Sequence, residues 1–208
     1  RATEFKLIDV PEMNYFTTDN PPRGEVCTRG PSVFRGYYLD EANTKETVDE
    51  EGWNHSGDVG VILPNGALKI VDRKKNIYKL SQGEYIAPEK VENIYLRCPY
   101  VAECFIYGDS LRDYNVAVIH PNLDVLQGVA QKLGIKDVSP DSLTKNSQIE
   151  EFVLKEMTEH GKKEGLFGFE LAKKVKLWPV SFGTLGVFTS TMKLQRHIAK
   201  AAFKAQIE

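Results

Sequence analysis

The spacing of apolar and polar positions changes several times along this chain, and each change marks an element. From Phe5 to Val10 they alternate, as in a half-buried strand whose successive side chains face opposite sides. Pro11 to Arg23, rich in Pro, Asn and Asp, predicts a loop, and Glu25 to Arg29 a second short strand stopped by Gly30-Pro31. Asp40 can cap a short helix through Asp49, since its carboxylate can accept from the free amides of a first turn, and Gly52 ends that segment. Val59, Val61 and Leu63 share one face of a strand, and Leu68 and Ile70 one face of the next. Asn65-Gly66 between them supplies the positive φ angles of a tight hairpin. The hairpin runs into Asp72-Arg73-Lys74-Lys75, a charge run unsuited to a core strand, so a packing unit is expected to end there.

Beyond it, Asn76 to Leu80 is strand-like and Ser81-Gln82-Gly83-Glu84 a loop. Pro88 in a first helical turn, with Val91, Ile94 and Tyr95 on one stripe, predicts a helix to about Arg97. Val101–Tyr107 and Asn115–His120 are expected strands around a turn at Gly108–Arg112, and Asn122–Leu133 and Gln148–His160 helices joined by a polar loop. Lys174–Trp178 predicts a strand, Ser181–Gly186 a Gly-rich loop, and Leu194, Ile198, Ala201 and Ala205 one face of a last helix. Strands dominate before Lys75; after it strands and helices mix as in a small α+β domain of helices on a sheet.

Composition narrows the function classes. A chain of 208 residues with 41% hydrophobic and 27% charged positions is long enough for a sizeable core and has the makeup of an ordinary globular protein. With 29 acidic against 27 basic residues it carries a net charge of -2, which argues against a broad nucleic-acid-binding face. Cys27, Cys98 and Cys104 form no C-x-x-C pair, so neither a disulfide framework nor a zinc site is indicated, and a reducing compartment fits. No apolar run approaches the roughly 18 residues of a membrane span, and no leader pattern precedes the first strand. Arg1 in place of Met, with strand pattern following at once, is what a fragment or processed product would have.

Candidate chemistry is sparse. Asp58 stands just before a buried strand in Ser56-Gly57-Asp58; one carboxylate can accept from two vicinal hydroxyls, as acids that hold a ribose do, although Gly-Asp alone reads as a turn. Arg73, Lys74 and Lys75 suit phosphate or ribose oxygens, or a solvated strand end. Gly83 suits a turn or the close passage of a long ligand. Lys193, between a Thr-rich loop and the last helix, can stabilise charge developing on a phosphoryl group and its attacking carboxylate, or be an ordinary surface lysine. His55, His120, His160 and His197 have neither metal-ligand spacing nor an obvious serine or cysteine partner and are read as structural.

Taken in order, four segments resemble the adenylate-forming, AMP-binding enzyme superfamily, and within it the long-chain fatty acyl-CoA synthetases: GEVCTRGPSVFRGYY (Gly24 to Tyr38), DEEGWNHSGDVG (Asp49 to Gly60), LPNGALKIVDRKKNIYKLSQGEYIAPEKVENIY (Leu63 to Tyr95) and TSTMKLQR (Thr189 to Arg196). The resemblance implies the β-rich end of a large N-terminal domain over residues 1-73 and a small α+β C-terminal lid domain over 74-208. It implies a ligase that forms acyl-adenylate and pyrophosphate from a fatty acid and ATP, with magnesium, and then passes the acyl group to coenzyme A. Residue by residue, Asp58 matches the ribose-holding carboxylate, Arg73 its basic assistant and Lys75 the hinge. Gly83, with Glu84 beside it, matches the loop facing the pantetheine tunnel, and Lys193 the lysine that orients carboxylate and phosphate. Ser56 replaces the usual Thr and keeps its hydroxyl; Ser190 replaces a usual Pro, which predicts a less rigid Lys193 loop.

The Ser-, Thr- and Gly-rich phosphate loop and the acyl tunnel of the family lie upstream of these segments. Alone the chain is expected to be inactive, with the missing N-terminal domain of the same enzyme as its partner. The implied location is the cytoplasmic face, peripheral to an organelle membrane. The alternative reading is a catalytically incomplete, synthetase-like scaffold or assembly subunit.

Overall fold

The computed structural model describes residues 3–208. They form two compact units, the first ending at Ile77 and the second running Tyr78–Glu208.

The first unit is an antiparallel sheet of β1 (Glu4–Ile8), β2 (Arg23–Arg29), β3 (Asn54–Ile62) and β4 (Leu68–Arg73), in that order across the sheet. Between β2 and β3 lies α1 (Glu41–Thr47), capped by Asp40, whose side chain accepts from Asn43 N at 3.1 Å. The helix stops at Thr47, before Asp49 and Gly52, because Val48 is already extended and pairs with Asn54. Val26, Cys27, Trp53 and Val59 are buried, and Lys6 and Arg29 place their cations 4.3 and 4.4 Å from the Trp53 ring.

Three expectations fail here for identifiable reasons. The β3–β4 turn is wider than a two-residue hairpin: Leu63 N donates to Ala67 O at 2.9 Å, and only Gly66 has a positive φ, 82°. Asn65 stays out of the left-handed region and accepts from Ala67 N through Oδ1 at 3.1 Å. Ile70 is exposed, because β4 is an edge strand and a register shift at Val59/Gly60 interrupts the alternation. The charge run ends the strand only from Lys74 on: Asp72 and Arg73 still belong to β4, and Asp72 is buried, accepting from Arg73 N at 2.6 Å and Asn76 Nδ2 at 3.4 Å. Lys74–Asn76 is a 3₁₀ turn, so Asn76 is not yet strand, and by packing the turn belongs to the first unit.

The second unit begins with a small hairpin of β5 (Tyr78–Lys79) and β6 (Tyr85–Ile86), followed by α2 (Pro88–Tyr95). Its main sheet has the order β7 (Val101–Tyr107), β8 (Asn115–Pro121), β9 (Ala172–Leu177); the first pair is antiparallel and the second parallel. The parallel pair needs a long crossover. It is supplied by α3 (Leu123–Lys132), α4 (Pro140–Lys145) and α5 (Ser147–Lys163). The polar segment expected to be loop contains α4, started by Ser139, whose hydroxyl accepts from Ser142 N, and by Pro140 at its first position.

Alternation along the strands gives this sheet two cores. Cys104, Ile106, Ala117 and Ile119 join Val91, Ile94, Tyr95, Leu126, Val153 and Met157 on one face. Phe105 and Val118 point the other way and join Phe182, Ala199, Phe203 and Ile207. The last helix is two short ones, α6 (Arg196–Ala202) and α7 (Lys204–Ile207). Their buried face is Ala199, Phe203 and Ile207, whereas Ala201 and Ala205 are exposed. Phe203, between the two helices, takes the inward position that small alanines could not fill.

Candidate functional site

In the first unit the sheet register itself builds the site. Asp58 on β3 is paired with Arg73 on β4. Cross-strand neighbours on one face stand close enough for their side chains to meet. Arg73 Nε lies 2.9 Å from Asp58 Oδ1. Ser56 Oγ accepts from Asp58 N at 3.0 Å, so the serine hydroxyl orders the approach to the carboxylate. The pair opens on a cleft of about 790 Å³ whose lining includes Glu25, Tyr37, Ser56, Asp58, Arg73 and Lys75. A carboxylate with one oxygen paired and a concave space before it can take hydroxyl donors from a ligand.

Glu25 was not singled out by sequence. It is buried on β2; one oxygen accepts from Gly57 N at 3.2 Å and the other lies 3.4 Å from Lys74 Nζ, which also reaches Glu12 at 3.1 Å. One carboxylate thus holds the residue before Asp58 and the residue after Arg73. The signal in the sequence is an acid directly before the apolar pair Val26-Cys27, which demands a partner once buried.

His55 also has partners that spacing did not reveal: Cys27 Sγ 3.6 Å from Nδ1 and Asp49 Oδ2 3.3 Å from Nε2. The order thiol, imidazole, carboxylate is that of an activated nucleophile. Burial first, and then the Glu25 charge, push the Cys27 thiol up to about 11, and no surface of Cys27 is exposed. The thiol is therefore held protonated, and the trio serves structure. The other two partnered histidines cap backbone carbonyls, His120 that of Trp178 at 3.0 Å and His160 that of Ile94 at 3.1 Å.

In the second unit the candidates sit on separate turns. Gly83 is at the tip of the β5–β6 hairpin with φ 98°, a conformation that L side chains rarely adopt, and Glu84 follows it, exposed. A Cβ on Gly83 would come no nearer than 3.8 Å to any atom described, so the backbone turn itself accounts for the glycine. Lys193 is exposed in a loop tied to itself. Thr189 N donates to Lys193 O at 2.9 Å, Lys193 N to Thr189 Oγ1 at 3.1 Å, and Phe188 bridges Leu194. Met192, at its tip, has φ 59°. The structure therefore brings Asp58, Arg73 and Lys75 to one cleft and leaves Gly83, Glu84 and Lys193 on loops of the other unit. Among the described residues no group of three or more His, Cys, Asp and Glu side chains is placed to hold a metal ion.

The fold matches adenylation domains. The adenylation domain of a carboxylate reductase from Mycobacterium chelonae superposes with TM-score 0.83 at 34% identity, covering 98% of this chain and 30% of that one. The didomain of a carboxylic acid reductase from Segniliparus rugosus in complex with AMP gives 0.84 at 31% identity, covering 98% and 27%. The O-succinylbenzoate coenzyme A synthetase of Bacillus subtilis, at 21% identity and TM-score 0.64, shares the fold.

Within that class, sequence narrows the kinship. The chain is 52% identical to a peroxisomal long chain acyl-CoA synthetase 6 of Arabidopsis thaliana and 46% identical to long-chain-fatty-acid–CoA ligase 1 of Homo sapiens. The matches cover 99% and 98% of this chain but only 30% and 29% of those proteins. No family model matches. Over its whole length the chain is a homologue of long-chain acyl-CoA synthetases, with the α+β architecture of the adenylate-forming enzymes.

Proposed function

We propose that this chain forms, within a longer polypeptide, the C-terminal part of a long-chain fatty acid:CoA ligase. It would comprise the end of the nucleotide-binding domain up to Arg73, a hinge at Lys75 and a lid domain. The observation that carries the reading is the Asp58–Arg73 pair, 2.9 Å apart in sheet register at the mouth of a cleft. Asp58 would accept from the ribose hydroxyls of ATP while Arg73 holds its carboxylate in place.

Lys193 would bring its ammonium to the reacting centre as the fatty acid carboxylate attacks the α-phosphorus and pyrophosphate leaves. The Gly83–Glu84 turn would then line the path of coenzyme A, whose thiol attacks the acyl carbon as AMP departs. Magnesium is expected with ATP, held largely through the nucleotide's phosphates and water. No helix among them is long and apolar enough to cross a membrane, and a place at the cytoplasmic face of an organelle membrane is compatible with that. The joint retention of Asp58, Arg73 and Lys193 gives no support to a scaffold role.

The test is made on the full-length protein. Lys193→Ala should lower acyl-adenylate formation by roughly 100-fold or more while leaving thioester formation from supplied acyl-adenylate near its original rate. Equal losses in both half-reactions would refute this division of labour.

A further inference from the structure

Three residues after Lys193, Arg196 begins α6 and turns its guanidinium inward. Its Nη2 donates to Glu92 Oε2 from a position 104 residues away in the chain. Glu92, on α2, is buried, and its other oxygen accepts from Ile106 N in β7 at 2.8 Å. Side-chain exposure is 17% for Arg196 and 8% for Glu92, and Arg196 Nε is buried without an acceptor among the described residues. A helix of the large core, strand β7 and the first residue of α6 therefore meet at one carboxylate.

The loop carrying Lys193 needs such a fixture. Its own hydrogen bonds, Thr189 with Lys193 and Gln195 N with Val187 O at 2.8 Å, close it on itself. The buried Val187 and the partly buried Leu194 hold its base by apolar contact, which is non-directional. A charge-assisted bond from a planar guanidinium is directional and fixes orientation.

We propose that Glu92 and Arg196 are positioning residues for Lys193: the pair sets the direction in which α6 leaves the loop, and so where the ammonium is presented. The inference rests on the reading of Lys193 as the adenylation lysine. Neither residue touches substrate; they act through the loop.

The test uses the full-length protein and compares ATP–pyrophosphate exchange, acyl transfer from supplied acyl-adenylate, and the thermal midpoint. Removing one partner takes the counter-ion from a buried charge and risks the fold. The informative variant is therefore the neutral pair Glu92→Gln/Arg196→Gln, which keeps an acceptor for Ile106 N. Misplacing a reacting group by about 1 Å can cost up to roughly 100-fold, so exchange should fall by about 10- to 100-fold while acyl transfer is unchanged. Glu92→Asp, which keeps the charge but draws it back by one methylene, should give a smaller loss of exchange and again spare acyl transfer; it serves alone if the neutral pair does not fold. Unchanged exchange, or both half-reactions falling together with the midpoint, would overturn the proposal. Lys193→Ala is run alongside. If that variant leaves exchange intact, the reading of Lys193 has failed and the anchor's role goes with it; if it abolishes exchange and the pair variants do not, only the anchor is wrong.

Discussion

The two units hold their candidate residues by opposite means. In the first, Asp58 and Arg73 stand on adjacent strands, and the ladder together with the buried Glu25 fixes their geometry. In the second, Gly83 and Lys193 ride on exposed turns, and the rigidity lies beneath them in two apolar clusters on either face of the β7–β8–β9 sheet. A site written into a ladder tolerates little change in its strands but keeps its geometry as the surroundings vary. A site on loops can be re-aimed as long as the core stays intact, which suits a unit proposed to serve two half-reactions.

The sharpest way to break this contrast is to remove apolar volume from the second unit. Phe203 is wholly buried, its ring 4.7 Å from that of Phe182, 5.4 Å from Trp178 and 5.8 Å from Phe105. Phe203→Ala should cost this unit about 3–5 kcal/mol, from lost transfer energy and a residual cavity. Urea denaturation followed by Trp178 fluorescence measures it. A loss below about 1 kcal/mol would mean that the C-terminal cluster does not support the unit.

What could be read from sequence divides along the same line. Strands Val101–Tyr107 and Asn115–Pro121 and the stripe Val91, Ile94, Tyr95 follow from periodicity because apolar burial alone decides them. Asp72 in β4, the role of Glu25 and the Cys27–His55–Asp49 contacts do not, because each depends on a partner brought near by the sheet and invisible to local pattern. Ala201 and Ala205 misled for a related reason: a small apolar side chain fits either face of a helix, and only Phe203 decided which face turned inward. For the candidate site, the residues were legible through family-like segments, but the Asp58–Arg73 pairing required the register of β3 and β4.

Titration separates the units next. In the second, burial pushes the Tyr95 hydroxyl up to about 12 from 10.0 and raises the thiols of Cys98 and Cys104. The fold holds these protons more tightly than the unfolded chain does. Their contribution is complete below the unfolded values and is lost as pH rises towards the folded ones, for Tyr95 between 10 and about 12. Two pKa units correspond to about 3 kcal/mol. Tyr95→Phe, which leaves Ala172 N without its acceptor, should weaken the unit at neutral pH yet flatten its alkaline decline. The first unit faces the other way. Backbone or side-chain hydrogen bonds hold the carboxyls of Glu12, Asp19, Asp40 and Asp49 below their ordinary range, so their contribution is present above it and is lost as pH falls. Cys27 gives this unit an alkaline decline of its own. Stability measured unit by unit across the pH range should therefore show the acid loss mainly in the first and the alkaline loss mainly in the second; the reverse order would sink the comparison.

The smallest effect probes how each unit uses a helix. Asn146 caps α5, its Oδ1 accepting from Gln148 N at 2.9 Å and Ile149 N at 3.3 Å, and that helix buries Ile149, Val153 and Met157. Asp40 caps α1 in the same manner, but α1 buries nothing. Loss of a cap typically costs about 1 kcal/mol, and it reaches global stability only where the helix unfolds together with the core. Asn146→Ala should therefore lower amide protection across the core strands β7 and β8. Asp40→Ala should raise exchange within α1 and leave β2 and β3 as they were. If Asp40→Ala loosened the β3–β4 pair as well, α1 would have to be counted among the elements that hold Asp58 in place, and the ladder would not be sufficient by itself.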